Sequence, residues 1–318
     1  MDPRSTRLAP SPTGALHLGN ARTFLVNWLL ARQNGWKILL RIEDLDGPRI
    51  KRDADAQLIE DLQWIGIDWD EGPVYQSAQI DAYKAAEQKL VRSGLAYACV
   101  CSRKEVELAA SAPHAEDGSV VYPGTCRGKY ESPEEALRQT GRAPALRFQV
   151  PEGSISFEDQ FHGRQSFDVR RQLGDFVIAK ADGTPAYQLA VVVDDAAMGI
   201  TDIVRGDDLL DSTPRQILLY RALGLERAIP SYTHLPLVVG PDGRRLAKRH
   251  GDSRLSYYRA KGVPASRVLT LLARWCGIEH EPIHTAADLV GSFQLGSFPC
   301  QPIIFRPEDD AWLTSGSP

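Results

Sequence analysis

Three groups of residues in this 318-residue sequence have types and spacings that suit chemistry. The first is Pro10-Ser11-Pro12-Thr13-Gly14-Ala15-Leu16-His17-Leu18-Gly19-Asn20, a turn-rich loop followed at once by apolar residues at helical spacing. A loop that opens a helix leaves backbone N–H groups at the positive end of the helix dipole, where a phosphate sits well. His17 can donate a hydrogen bond to a phosphate oxygen, an interaction that strengthens as charge builds up during displacement at phosphorus. Gly19 lets a flat base approach the backbone. The second group is Gly243-Arg244-Arg245-Leu246-Ala247-Lys248-Arg249, where a lysine among arginines behind the turn Gly240-Pro241-Asp242-Gly243 can neutralise a leaving pyrophosphate. The third is Cys99, Cys101 and Cys126. A closed structural zinc site takes four ligands, and thiol chemistry alone favours His114 as the fourth.

The elements that must hold these residues alternate. A strand over Thr6–Ala9 runs into the first loop, and a helix through Phe24, Leu25, Trp28 and Leu29 follows. Ile38–Ile42 reads as a buried strand, Asp53–Ile65 as a helix, and a further helix over Ser77–Ser93 stops at Gly94, a left-handed C-terminal cap. Strand and helix in turn predict a parallel sheet. From Cys99 to Gln172 the chain carries scattered Gly, Pro and Ser with short strands at Leu146–Val150 and Ser154–Phe157, the composition of an insertion across that sheet. The alternation resumes with Phe176–Ala179, Tyr187–Val193, a strand at Asp202–Arg205 and a helix through Ile217, Leu218, Tyr220 and Leu223, expected to be the second half of the same sheet. Helices are expected at Val268–Trp275 and Ala286–Phe293, and Pro299, Pro302 and Pro307 predict an irregular end. The boundaries expected are 1–98 and 173–240 for the two halves of the core, 99–172 for the insertion, and 241–318 for the lysine loop with a helical part. An isolated His-x-Gly is usually a cap or core histidine, and a charge run is usually a solvated face. The two gain weight by sitting on opposite halves of one sheet.

Composition limits the alternatives. There are 37 Lys+Arg against 41 Asp+Glu, a net charge of −4, so bulk polycation binding is excluded while a local basic patch is not. With 43% hydrophobic and 25% charged residues the chain is neither disordered nor fibrous. Leu189-Ala190-Val191-Val192-Val193 is typical of its longest apolar runs, far below the roughly 18 residues of a membrane span. Met1–Arg7 is followed by no apolar signal core, so a cytoplasmic location without membrane contact is expected. Five cysteines, an odd number, fit reduced thiols or a metal site better than a disulfide framework; Cys276 and Cys300 have no metal spacing.

His17-Leu18-Gly19-Asn20 resembles the His-Ile-Gly-His motif of class I aminoacyl-tRNA synthetases, and Arg245-Leu246-Ala247-Lys248-Arg249 resembles their Lys-Met-Ser-Lys-Ser loop. Arg7-Leu8-Ala9-Pro10-Ser11-Pro12-Thr13-Gly14 and Arg41-Ile42-Glu43-Asp44-Leu45-Asp46 are similar to strings of the glutamyl group within that class. Tyr187-Gln188-Leu189-Ala190-Val191-Val192-Val193-Asp194-Asp195 and Val204–Thr213 are further matches, in family order from residue 7 to about 250.

The resemblance implies an α/β fold: a Rossmann-like parallel sheet split by a zinc-bearing insertion, with a short helical stem-contact subdomain at the C-terminus. A full-length glutamyl enzyme continues into an anticodon-binding domain for which the stretch beyond Arg249 is too short, so the truncated paralogues of the group are the better match. These activate glutamate with ATP and Mg²⁺ without tRNA and then esterify queuosine in the anticodon of tRNA(Asp). A monomer is expected. The resemblance also implies a glutamate pocket of Arg7, Leu8, Ala9, Pro10, Ser11, Glu43, Tyr187 and Arg205, an ATP site of His17, Gly19, Asn20, Arg245 and Lys248 with His17 and Lys248 catalytic, and zinc on Cys99, Cys101, Tyr122 and Cys126, with His114 the rival to Tyr122. An arginine suits a carboxylate by bidentate pairing, and Glu43 suits an ammonium. The motifs depart from the family in three places: Arg245 replaces the first lysine of the loop, Arg249 replaces its last serine, and Asn20 stands where many relatives have histidine.

Overall fold

The computed structural model describes residues 4–45, 47, 50, 53–109, 121–244, 246, 252–279 and 282–315. Two compact units form. The first comprises residues up to Tyr75, Asp202–Asp207 and the chain from Tyr232 on; the second comprises Gln76–Thr201 and Asp208–Ser231. In chain order, β1 (Ser5–Leu8), α1 (Leu18–Asn34), β2 (Lys37–Ile42), α2 (Ala54–Trp64) and β3 (Glu71–Tyr75) open the first unit. The second holds α3 (Ile80–Arg92), β4 (Ala96–Cys99), α4 (Arg103–Ala109), α5 (Pro133–Thr140), β5 (Ala145–Phe148), β6 (Ser154–Asp159), β7 (Gly163–Asp168), α6 (Val169–Gln172), β8 (Phe176–Ala179) and α7 (Tyr187–Ala197). After β9 (Asp202–Gly206) in the first unit and α8 (Ser212–Ala222) in the second come β10 (Ser231–Leu235), β11 (Val238–Val239), α9 (Leu255–Ala260), α10 (Ala265–Trp275), β12 (Ile303–Ile304) and α11 (Pro307–Thr314).

In the first unit β1, β2 and β3 form the parallel sheet that the alternation predicts, with Leu8 opposite Leu40 and Ile42 opposite Tyr75. Every residue of β2 after Lys37 is buried, as expected of a strand covered on both faces. Helix α1 buries Leu18, Ala21, Leu25, Val26, Trp28 and Leu29. Its register against β1 is set by polar contacts inside the core: the Thr6 hydroxyl donates to Asn27 Oδ1 at 2.8 Å, and Asn27 Nδ2 donates to the Arg7 carbonyl at 2.9 Å. Strand β9 lies against both β1 and α1, with β10 beside it, and β11 pairs parallel with β12. Helix α10 rests on α1 and α11 rests on α10, where the Trp312 ring takes the guanidinium groups of Arg267 and Arg274 at 4.9 and 4.7 Å.

Two expectations for this end of the chain are corrected. The helix expected over Ala286–Phe293 is a single tight turn, Ala286–Leu289, opened by a capping box between Thr285 and Asp288 and followed closely by Gly291. Pro307, expected to keep the terminus irregular, fills the first turn of α11 together with Glu308, Asp309 and Asp310. A missing N–H costs nothing at that position, and acidic side chains suit the helix dipole.

The second unit is built on antiparallel pairs. Strands β4, β5 and β8 form one sheet and β6 and β7 a hairpin. Phe176–Ala179, expected to open the second half of the parallel sheet, pairs antiparallel with β5 instead, and Phe176 meets Phe148 ring to ring at 5.3 Å. Helices α3 and α7 are joined in their interior by Asp194, whose carboxylate accepts from the Tyr83 hydroxyl at 2.8 Å and from Gln76 Nε2 at 2.7 Å. Gly94 follows α3 in the left-handed conformation (φ 69°), as expected of its cap. Among the described residues no helix is long and apolar enough to cross a membrane.

Glu87 on α3 carries a cost. It is only 9% exposed, its Oε1 accepts no hydrogen bond, and burial pushes its carboxyl up to about 7 despite Lys84 nearby. The native protein keeps this proton from the ordinary range near 4.5 up to about 7, so stability falls as pH rises through that window. Glu87→Gln should match the wild-type unfolding free energy in urea near pH 4.5 and exceed it at pH 8, by on the order of 1–3 kcal/mol. Equal free energies at pH 8 would contradict the assignment.

Candidate active site and metal centre

The parallel strands of the first unit deliver their C-terminal ends to one edge, the usual place for a ligand in an open α/β sheet. There the Glu43 N–H donates to the Pro10 carbonyl at 3.0 Å, fastening the loop after β1 to the end of β2. Leu8 is wholly buried in the strand, Pro10 is buried, Ala9 is half-buried and Ser11 is exposed. Arg7 on β1 and Arg205 on β9 are each 5% exposed. Arg205 Nε donates to His234 Nε2 at 3.0 Å, which puts the His234 proton on Nδ1, and its guanidinium lies 5.4 Å from the Tyr232 ring centre. Glu43 accepts from Arg41 NH2 at 3.1 Å, and the Arg41 side chain is fully buried. Arg7, Glu43 and Arg205 all belong to the first unit, where β9 lies against β1 and the Glu43 backbone is bonded to the loop after β1. Tyr187 belongs to the second unit, where it opens α7 and is 37% exposed.

His17 stands at the N-cap of α1 in extended conformation, with no acidic side chain in the first turn and no side-chain cap. The positive end of the helix is therefore not occupied by a carboxylate of its own first turn. His17 Nδ1 lies 2.9 Å from Ser253 Oγ. With the serine donating, Nε2 carries the imidazole proton. The backbone around Ser253 is fastened to the same place: the Leu18 N–H donates to the Ser253 carbonyl at 2.8 Å and the Leu255 N–H to the Leu16 carbonyl at 2.8 Å. Asp252 is ion-paired to Arg254, whose hydrogen bond holds its carboxyl below the ordinary range. Gly19 is half-buried under β11, where a Cβ would stand 3.4 Å from Val238 Cβ and 3.9 Å from Leu246 Cδ1; Asn20 is exposed. Arg245 and Lys248 lie outside the described residues, but Leu246 on one side of the lysine and Asp252–Leu255 on the other are held at the start of α1.

The second unit carries the thiols. The sulfurs of Cys99, Cys101 and Cys126 lie within 4.8 Å of one another. Cys101 Sγ is 3.4 Å from Cys126 Sγ, Cys99 Sγ donates to the Tyr122 hydroxyl at 3.3 Å, and Cys101 Sγ is 3.6 Å from the same oxygen. With Zn–S bonds of about 2.3 Å, a tetrahedron has edges of roughly 3.7 Å, close to the separations of 3.3, 3.4 and 3.6 Å found here, so the three thiols could hold a metal ion with the phenol oxygen beside them. His114 lies outside the described residues. Burial and the neighbouring sulfurs push the Cys101 thiol up to about 11, so a metal here must displace protons as it binds. Tyr122 is placed by the Cys126 N–H donating to its hydroxyl at 2.8 Å and by a backbone bridge to Gly174. Gly174 has φ 67°, and a Cβ there would meet Val121 Cγ1 at 2.9 Å and the Tyr122 N and O at 3.2 Å.

Four partners in these sites were not singled out from the sequence: Arg41 behind Glu43, His234 behind Arg205, Ser253 behind His17, and Arg147, whose Nε donates to Cys99 Sγ at 3.3 Å. Arg41 stands inside a motif string that names it. Ser253 and His234 carry no such signal, because each is an ordinary residue brought in from far along the chain.

Residues 4–295 match the family described as tRNA synthetases class I (E and Q), catalytic domain. The chain belongs to that family and is a ligase of the aminoacyl-tRNA synthetase type. It is 46% identical over 322 residues to the glutamyl-Q tRNA(Asp) synthetase of Symbiobacterium thermophilum, a match that covers 98% of both chains. It is 42% identical to glutamate–tRNA ligase 1 of Alkalilimnicola ehrlichii over 311 residues, 97% of this chain and 64% of that one. The glutamate tRNA ligase of Elizabethkingia meningosepticum, solved in complex with its amino acid, superposes with a TM-score of 0.80 at 29% identity, covering 98% of this chain and 69% of its own.

Gly174→Ala should destabilise the protein by on the order of 2 kcal/mol, from the left-handed backbone and the forced shift of Tyr122. A urea midpoint unchanged from wild type would show that Tyr122 is not held by this contact.

Proposed function

We propose that the protein activates glutamate with ATP in the absence of tRNA and transfers it to the queuosine base in the anticodon of tRNA(Asp). The observation that carries this reading is the 46% identity to a glutamyl-Q tRNA(Asp) synthetase over 98% of both chains. In the first step the α-carboxylate oxygen of glutamate attacks the α-phosphorus of ATP and the bond to pyrophosphate breaks, giving glutamyl-adenylate. Arg7 and Arg205 hold the carboxylates of the substrate and Glu43 accepts from its ammonium group; Leu8, Ala9, Pro10 and Ser11 line the approach. His17 donates to the phosphates at the start of α1, Gly19 and Asn20 bound the nucleotide, and Arg245 and Lys248 neutralise the departing pyrophosphate. Mg²⁺ bound with ATP supplies further charge neutralisation there. In the second step a hydroxyl of the queuosine ring attacks the activated carbonyl and AMP leaves. Zinc on Cys99, Cys101, Tyr122 and Cys126 cross-links the second unit, and the helices from α9 on contact the RNA stem.

A second reading, an ordinary glutamate–tRNA ligase acting on a tRNA 3′ end, draws on the 42% identity to the Alkalilimnicola ehrlichii enzyme. Glutamate-dependent ATP–pyrophosphate exchange, measured with and without tRNA, separates the two. Exchange without tRNA, followed by transfer of labelled glutamate to periodate-sensitive tRNA(Asp), is the expected result. Exchange that needs tRNA, with glutamate appearing on the 3′ end of tRNA(Glu), would return the protein to the second reading.

Two substitutions test the assignments within the site. Lys248→Ala should lower the exchange kcat by about 100-fold while leaving glutamate affinity nearly unchanged, since the lysine acts on charge that develops only at the phosphates; normal exchange in this variant would remove Lys248 from the mechanism. Ser253→Ala should lower kcat/KM for ATP by roughly 10-fold through a loosened His17, with no change in the KM for glutamate. Tyr187→Phe, read out as the KM for glutamate, tests the role implied for Tyr187.

A further inference from the structure

The thiol cluster has a guanidinium built against it that the proposed reaction does not use. Arg147 sits on β5 directly opposite Tyr97 of β4, and Tyr97 and Cys99, two residues apart on that strand, share a face of the sheet. From there Arg147 reaches the cluster twice: its Nε donates to Cys99 Sγ at 3.3 Å, and its guanidinium carbon lies 3.8 Å from the centre of the Tyr122 ring. The group is held from behind, since NH1 donates to the Asp175 carbonyl at 2.9 Å. Asp175 is itself fixed: it is 4% exposed, and its carboxylate accepts from the Tyr97 hydroxyl at 2.6 Å, from Arg127 Nε at 2.9 Å and from the Val150 N–H at 2.9 Å. Arg127 follows Cys126 in the chain, so both flanks of the cluster lead back to one buried carboxylate.

Three thiolates around a divalent ion leave a net charge of −1 in a half-buried site. A charge-assisted N–H donor on one sulfur and a cation over the phenol ring both stabilise that state, and outer partners of this kind tune how tightly a metal is held. Resting on the reading that Cys99, Cys101, Tyr122 and Cys126 hold zinc, we propose that Arg147 is a positioning residue of that centre: its donor on Cys99 Sγ and its contact with the Tyr122 ring set the retention of the metal. Lysine at this position would keep the charge but lose the planar face and the fixed Nε donor.

The experiment compares wild type, Arg147→Met and Arg147→Lys as purified, zinc-loaded full-length proteins. Metal content is measured, then the rate of zinc release to a chromophoric chelator, then the sulfur-to-cobalt charge-transfer and d–d bands after Co²⁺ substitution, with circular dichroism as the control for folding. Arg147→Met should release zinc about 10 to 100 times faster than wild type and shift the cobalt bands, and Arg147→Lys should fall between. Release at the wild-type rate with an unchanged cobalt spectrum in a folded Met variant would overturn the proposal. If the Met variant does not fold, the Lys variant decides alone: faster release supports the proposal and wild-type release overturns it. A wild-type protein that binds neither zinc nor cobalt would instead overturn the zinc reading itself, and the proposal with it.

Discussion

The start of α1 is the point on which the first unit depends. Its positive end is left without a side-chain cap, and a segment 236 residues away is hydrogen-bonded across it, His17 to Ser253 by side chain and Leu16–Leu18 to Ser253–Leu255 by backbone. A stretch that the sequence marks and one that it does not become one structure there. Closing so long a loop is entropically expensive only in a logarithmic sense, but aligning it demands a rigid partner. That partner is the sheet: β1 sets α1 through Thr6 and Asn27, and β11 sets the approach to the lysine loop through Val238 against Gly19. A Cβ in place of the Gly19 hydrogen would rest in ordinary van der Waals contact with Val238 and Leu246, so β11 and the residue that leads toward the lysine loop already pack closely against this first turn.

The second unit solves a different problem. Its antiparallel strands are short, and the segment around Cys99, Val106, Tyr122 and Cys126 buries little apolar surface of its own. Order there comes from polar hubs. Asp175 gathers Tyr97, Arg127 and Val150, and Asp194 gathers Tyr83 and Gln76. Both carboxylates are nearly fully buried and both are supplied with donors, the condition under which a buried charge stabilises a unique arrangement rather than opposing folding. Glu87, buried on the same unit with one oxygen lacking a donor, is the contrast that shows what the donors contribute.

How much of this was legible followed from how local each feature is. The β1–α1–β2 unit was readable because strand, turn and helix signals lie within forty-odd residues and agree with one another. The cysteine cluster was readable for the same reason, since its three thiols fall on two short motifs. The pairing of β8 was not, because Phe176–Ala179 has the apolar character of a core strand and nothing in it distinguishes a parallel neighbour from the antiparallel edge of β5; the deciding contact is Phe148, almost thirty residues back. Pro307 misled for a physical reason: proline breaks a helix from inside but suits its first turn, and only the acidic residues after it mark which case applies. Ser253, His234 and Arg147 were invisible because their work is done through contacts that the fold alone creates.

Arg22 shows the same division between motif and scaffold inside a single helix. It lies one turn beyond Gly19 and is 2% exposed, with NH1 donating to the Pro236 carbonyl at 2.8 Å and the guanidinium 4.3 Å from the Phe298 ring centre. Burial lowers its pKa from the usual arginine value, while burial pushes the adjacent Cys276 thiol up to about 11 against the pull of Arg22. Cys276 therefore stays a thiol, and the arginine gains no full counter-charge from it. A cation so placed is a poor way to stabilise a core, because an apolar side chain of similar volume would avoid the desolvation cost. What an apolar side chain cannot do is grip a carbonyl. Pro236 is two residues before Val238, the residue that closes on Gly19, so the bond from Arg22 fixes the strand edge at the point where it meets the start of α1.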